Sequence, residues 1–165
     1  MKCYLGLGAN LGDRAQTMRL ALRQLAAAPG VTVAAVSALY ETPPWGKTDQ
    51  PPFLNAAACL HTDLAPHQLL RLCQRIEQGL GRQRHEHWGP RPIDLDLLHI
   101  PGVTLSDATL TLPHPYLTQR AFVLVPLADI AAGEIIVGKT VADWLAAVGD
   151  RENIVKTEEA GWETL

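Results

Sequence analysis

The run Ile93-Asp94-Leu95-Asp96-Leu97 constrains this chain more than any other stretch. Apolar and acidic residues alternate with a period of two, which is the pattern of a strand with one dry face and one wet face. Successive strand side chains point to opposite faces. Asp94 and Asp96 therefore share one, and Ile93, Leu95 and Leu97 share the other. Two residues of rise set the carboxylates roughly 6.5 Å apart at their Cα atoms. That spacing suits one hard cation, or two cations about 3.5–4 Å apart. Just upstream, Arg82, Arg84 and Arg91 are interspersed with glycine and polar residues and accompanied by Trp88. Paired carboxylates, arginines and an aromatic plate suit a polyphosphate carried on magnesium. The plainer alternative is a solvated acidic face neutralised by neighbouring arginines.

The bulk properties exclude several classes. At 165 residues, with 47% hydrophobic and 19% charged residues, the chain reads as one folded domain over 1–165. A formal charge of -3 argues against a general nucleic-acid binder. No apolar stretch reaches the roughly 18 residues of a membrane span, and the N-terminus lacks a signal-peptide layout. Cys3, Cys59 and Cys73 show no Cys-x-x-Cys spacing and sit in apolar runs. They are expected to be buried thiols in a reducing cytoplasm, with no zinc site. No obligate protein partner is evident.

Periodicity supplies the element order. A short apolar strand over 3–8 ends in glycines, and Asp13 caps a helix carrying Ala15, Met18, Leu22 and Leu25 at helical spacing. Val31 to Tyr40 is strand-like, and the proline-rich stretch 41–52 can only be a loop. Phe53 to His61 resumes a strand with Phe53, Asn55 and Ala57 on one face. Pro66 opens a second helix whose buried stripe is Leu69, Leu72, Cys73, Ile76 and Leu80, leaving Gln74 and Glu77 on its polar side. The arginine segment, the Asp-x-Asp strand to Ile100 and a hairpin partner at Val103–Leu105 are expected next. Ala121–Ile130, helical after a turn at Pro126, and Val141–Val148 read as helices, and the acidic tail from Glu158 is expected to fray. The order β-α-β-β-α-β predicts an α+β fold: a ferredoxin-like core with additional C-terminal strands and helices.

Other groupings admit two readings each. Gly6-Leu-Gly8-Ala-Asn10-Leu-Gly12 mimics a dinucleotide-binding turn. Its third glycine is one place late, however, and the alternation of strands and helices does not continue. A glycine-rich turn with Asn10 bonding nearby backbone accounts for it without a cofactor. His85-Glu-His87 lacks the spacing of a zinc helix. His114, between Pro113 and Pro115, is either an incidental imidazole in a rigid turn or a phosphate or ribose contact beside Arg120. Phe53 and Asn55 could serve the core and a turn, or could stack and hydrogen-bond a flat heterocycle.

Taken in order, these residues resemble the 6-hydroxymethyl-7,8-dihydropterin pyrophosphokinase family of folate biosynthesis. The resemblance runs from Leu5 to about Ile130 and rests on Arg82-x-Arg84 followed by Trp88-Gly-Pro-Arg91-x-Ile-Asp94-Leu-Asp96-Leu. Gly6-x-Gly8-x-Asn10-Leu-Gly, Tyr40-Glu-Thr42-Pro-Pro, Phe53-Leu-Asn55-Ala-Ala, Pro113-His-Pro and Arg120-x-Phe122 support it. It implies transfer of diphosphate from ATP, the co-substrate, to the pterin hydroxymethyl group, with AMP released. It further implies that Asp94 and Asp96 hold two Mg2+ ions and that Arg82 and Arg91 are catalytic. The pterin would lie between Phe53 and Phe122, lined by Thr42, Pro43, Trp45 and Asn55. Nucleotide contacts would come from Gln74, Glu77, Arg84, Trp88, Leu97, Thr111, His114 and Arg120. Ala9, Trp45 and Phe53 depart from the family's usual serine, aliphatic residue and tyrosine. Two rival functions are a ligand-sensing module without turnover and a metal-dependent nucleotidyl hydrolase.

Overall fold

The computed structural model describes residues 1–42, 51–81, 92–157 and 162. Its elements run β1 (Lys2–Ala9), α1 (Arg14–Ala27), β2 (Val31–Val36), β3 (Tyr40–Thr42), β4 (Phe53–Thr62), α2 (Pro66–Gly79) and β5 (Asp94–His99). There follow β6 (Leu105–Ser106), β7 (Thr111–Leu112), α3 (Ala121–Ala131), β8 (Ile135–Ile136), β9 (Lys139–Thr140), α4 (Val141–Ala147) and β10 (Val155–Lys156). This is an α+β fold. Its main sheet has the order β10-β3-β4-β1-β5, with β2 also pairing β4, and every pairing in it is antiparallel.

The two faces of that sheet are covered differently. On one, Leu5, Leu7, Ala56, Ala58, Leu95 and Leu97 pack with Met18, Leu22 and Leu25 of α1 and Leu69, Cys73 and Ile76 of α2. On the other, Tyr4, Ala57, Cys59 and Leu98 pack under Leu124 and Leu127 of α3 and Val141 of α4. The stripe of α1 is the predicted one, and α2 buries Leu69, Cys73 and Ile76 as predicted, with Leu72 and Leu80 only partly buried and Glu77 buried beside them. Asp13 caps α1 as expected, its side chain accepting from Gln16 N–H at 3.2 Å. All three cysteines are buried free thiols.

Four expectations need correction. The strand-like run 31–40 is two strands: the ladder with β4 is interrupted at residues 37–39, where the Ser37 hydroxyl accepts from Ala57 N–H at 2.8 Å. The Pro101-Gly102 turn forms, with Val103 N–H on Ile100 C=O at 3.0 Å, but the strand beyond it pairs with β7 rather than β5. One reason is that the β5 backbone at Leu98 already bonds elsewhere, its C=O accepting from His114 N–H at 2.8 Å. Pro126 lies inside α3 rather than before it. Most of the acidic tail lies outside the described residues, yet Trp162 within it is 1% exposed and belongs to the core.

Candidate active site

The site grows from one row of residues across the sheet. Tyr40 pairs with Asn55, Asn55 with Gly8, and Gly8 with Asp94. One step along, Ala57 pairs with Gly6 and Gly6 with Asp96. Directly paired residues project to the same face, so the aspartates of β5 and the amide of β4 share a face with only glycine between them. Asn55 and Asp94 stand two strand spacings, about 10 Å, apart at Cα. The glycines make a floor without side chains. A Cβ on Gly8 would come within 2.9 Å of Asn55 Oδ1, a distance that ordinary Cβ contacts do not reach. Gly6 and Gly8 therefore lie inside β1 and serve the site, whereas Gly12, at φ +66, makes the turn.

On the β4 side, Asn55 is buried and donates through Nδ2 to Thr42 Oγ1 at 2.8 Å. Phe53 pairs with Thr42 and is half-buried. Phe122 stands in the first turn of α3, also half-buried. The guanidinium of Arg120 lies 4.8 Å from the Tyr116 ring centre and 5.5 Å from that of Phe122, which fixes its direction through cation–π contact.

On the β5 side, Asp94 and Asp96 are half-exposed while Leu95 and Leu97 are buried, as the alternation requires. Glu77 is the departure: it is 4% exposed, and its Oε2 accepts from Leu95 N–H at 2.8 Å. β5 is an edge strand, and this carboxyl takes up an edge N–H midway between the two aspartates. Glu77 thus sits on the sheet side of α2 rather than on its polar side. Leu97 is 3% exposed within the core, so only its backbone is available to a ligand. Gln74, Thr111 and His114 are half-buried around the same edge. His114 Nδ1 accepts from Tyr116 N–H at 3.2 Å. Burial first, then the Arg120 guanidinium, hold its imidazole below the usual pKa, with Asp94 acting in the opposite sense.

Asn10 and Arg14 emerge as site-building residues that the motifs did not assign. Asn10 is buried and donates to Pro51 C=O at 3.2 Å, a partner far along the chain rather than in its own turn. Arg14 donates to Pro52 C=O at 2.8 Å and pairs with Glu41 at 3.6 Å. Both hold the backbone that enters β4. A basic residue in the first turn of a helix opposes the macrodipole, and that oddity was the signal for Arg14. Pro43, Trp45, Arg82, Arg84, Trp88 and Arg91 lie outside the described residues.

Comparison with known proteins decides the family. Residues 4–132 match the family described as 7,8-dihydro-6-hydroxymethylpterin-pyrophosphokinase. The 2-amino-4-hydroxy-6-hydroxymethyldihydropteridine pyrophosphokinase of Methylorubrum extorquens is 52% identical over 157 residues, covering 95% of this chain and 99% of that protein. The chain belongs to this family. The Bacillus subtilis pyrophosphokinase is 46% identical over 127 residues, 77% of this chain and 76% of that protein. A crystal structure of Plasmodium falciparum HPPK-DHPS superposes with a TM-score of 0.67 at 16% identity, over 88% of this chain. This chain spans 42% of that longer one, and at such identity the likeness speaks for the pyrophosphokinase fold alone.

Proposed function

We propose that this chain transfers diphosphate from ATP to the hydroxymethyl group of 6-hydroxymethyl-7,8-dihydropterin, giving the pterin diphosphate and AMP. The observation that carries the reading is the glycine-floored row. It sets the Asp94–Asp96 carboxylate pair and the Asn55 amide on one face, with Asn55 and Asp94 about 10 Å apart at Cα. That span accommodates a flat ring at Asn55 whose side arm reaches toward phosphates at Asp94 and Asp96. Family membership supplies the reaction class.

The residues fit magnesium. Two half-exposed carboxylates on one strand face offer hard oxygen donors and leave positions for water and phosphate, which is how this ion prefers to bind. Asp94 and Asp96 would hold two Mg2+ ions, whose charge offsets that of the phosphates. Phe53 and Phe122 sandwich the pterin, and Asn55, fixed by Thr42, reads its polar edge together with Pro43 and Trp45. The substrate oxygen attacks the β-phosphorus in line, and the bond to the bridging α–β oxygen breaks to release AMP. Arg82 and Arg91 stabilise the charge that develops. Gln74, Arg84, Trp88, Thr111, His114, Arg120 and the Leu97 backbone hold the nucleotide. Glu77 acts through β5.

The strand order β5-β1-β4-β2, with crossovers through α1 and α2, supports a ferredoxin-like core in a single domain. Three buried free thiols support a reducing, cytoplasmic setting, and no helix among the described residues is long and apolar enough to cross a membrane. The test is AMP release from ATP, which should require both magnesium and the hydroxymethyl-dihydropterin. Equal AMP without the pterin would reassign the chain as a hydrolase, and pterin binding without AMP would make it a sensor.

A further inference from the structure

The chain beyond residue 132, where the family match ends, comes back to the heterocycle side of the site. β10 pairs with β3, Val155 opposite Glu41 and Lys156 opposite Tyr40. Thr157 N–H then donates to Leu39 C=O at 2.9 Å. Trp162 is buried in the main core, and its indole N–H donates to Ser37 C=O at 3.0 Å. Arg19 of α1 closes the arrangement by donating through Nε to Trp162 C=O at 2.9 Å. Residues 37–41 are therefore held on two sides. Inside, Ser37 exchanges bonds with Ala57, and Tyr40 and Glu41 pair with β4. Outside, the returning segment occupies the opposite edge.

This matters because β3 has three residues and its last one is Thr42. Thr42 fixes the Asn55 amide, and it leads into the stretch that carries Pro43 and Trp45. A strand so short has little hold of its own, and an edge strand gains register from whatever pairs with it. Val155 is 61% exposed, so the returning strand is anchored by its backbone bonds and by Trp162, not by its own side chains. β10 and β5 are the two opposite ends of the sheet, so the metal-facing aspartates are remote from this anchor.

We propose that Val155–Thr157 and Trp162 act as a strap that positions Thr42 and Asn55, and so sets affinity for the pterin substrate while leaving the nucleotide side untouched. Thr157 and Trp162 are its positioning residues. The proposal rests on the reading that Thr42 and Asn55 face the heterocycle. Thr157→Pro removes the donor to Leu39, and Trp162→Phe keeps a core aromatic while removing the donor to Ser37. Each should raise KM for the hydroxymethyl-dihydropterin about three- to tenfold, the scale of one lost hydrogen bond. KM for ATP and kcat at saturation should stay within about twofold of the parent, since uniform substrate binding alone is lost. A role confined to stability would lower the melting temperature and the active fraction of both variants while both KM values held, and that result overturns the strap. Asn55→Ala, with the strap intact, separates the premises. If it leaves pterin KM unchanged, the heterocycle reading fails and the strap with it. If it raises pterin KM while neither strap variant does, the strap alone fails.

Discussion

The two flanks of the site are built by opposite means. The β5 flank is braced from within the family core. Glu77 of α2 takes the N–H between the aspartates, and His114 N–H takes Leu98 C=O. The β3–β4 flank is braced from a distance. Asn10 and Arg14 hold the carbonyls of Pro51 and Pro52, and the segment after residue 154 covers the outer edge of β3. Under the proposed reaction the bond from Leu95 N–H to Glu77 fixes the backbone that carries the two carboxylates. The β3–β4 flank is instead held by contacts that arrive from both ends of the chain, Asn10 and Arg14 from one and Val155–Thr157 with Trp162 from the other. The prediction is a separation of kinetic effects: damage to the first flank lowers kcat, and damage to the second raises pterin KM.

The sharpest break would come at the aspartates. Asp96→Ala should lower turnover by about a hundred- to a thousandfold or more, the cost of removing a preorganised electrostatic group. Its half-exposed position predicts an unchanged circular dichroism spectrum and melting temperature within a few degrees. Substantial turnover in that variant would remove the carboxylate pair from the metal site.

Glu77 comes next. Truncation to alanine leaves the buried Leu95 N–H unpaired, at a cost of about 1–3 kcal/mol in stability. It also frees the strand that aims Asp94 and Asp96. We expect kcat to fall while pterin KM, measured on the folded fraction, stays near the parent value, the mirror image of the strap variants. Glu77→Gln retains an oxygen that can accept from Leu95 N–H and should recover most of the stability. A Glu77→Ala variant that raised pterin KM and spared kcat would erase the distinction between the flanks.

Which parts of this arrangement were legible in the sequence follows from the range of the forces involved. The faces of β4 and β5 and the stripes of α1 and α2 are local periodicities, so they could be read directly. So could the carboxylate pair, because a strand's alternation alone brings Asp94 and Asp96 together. The polarity of Glu77 argues for the solvent side of α2, although its place four residues after Cys73 puts it on the buried stripe. The lone edge N–H that draws it inward exists only once β5 is in place. The pairing of β6 with β7 was invisible for a similar reason, since the competing partner of Leu98 is sixteen residues away at His114. The returning strand gave no periodic signal because backbone bonds make it, and an isolated Trp162 in an acidic tail was its one trace.

The smallest effect tests the β3 flank through pH. The Tyr40 hydroxyl donates to both oxygens of Asp129 on α3, at 2.9 and 2.8 Å, and Asp129 also accepts from Ala38 N–H at 3.1 Å. Burial, reinforced by the hydrogen bond and negative charge of Asp129, pushes the Tyr40 phenol up to about 12. A pKa raised in the folded state favours the protonated form there. Its contribution to stability is therefore complete below the unfolded value of about 10 and is lost as pH rises through about 12. Tyr4 is also raised to about 12, chiefly by burial, so the parent protein should lose stability over this window through both phenols. Tyr40→Phe should be less stable than the parent near neutrality, by about 1 kcal/mol for the lost bond. Its denaturant-unfolding free energy should then decline less steeply above about pH 10, so that the two curves converge. Parallel curves would show that the phenol is not held in its protonated form by Asp129, and would leave the tie between β3 and α3 without an energetic role. Convergence accompanied by a small rise in pterin KM for Tyr40→Phe would place α3, with Phe122, among the elements that hold the β3–β4 flank in register.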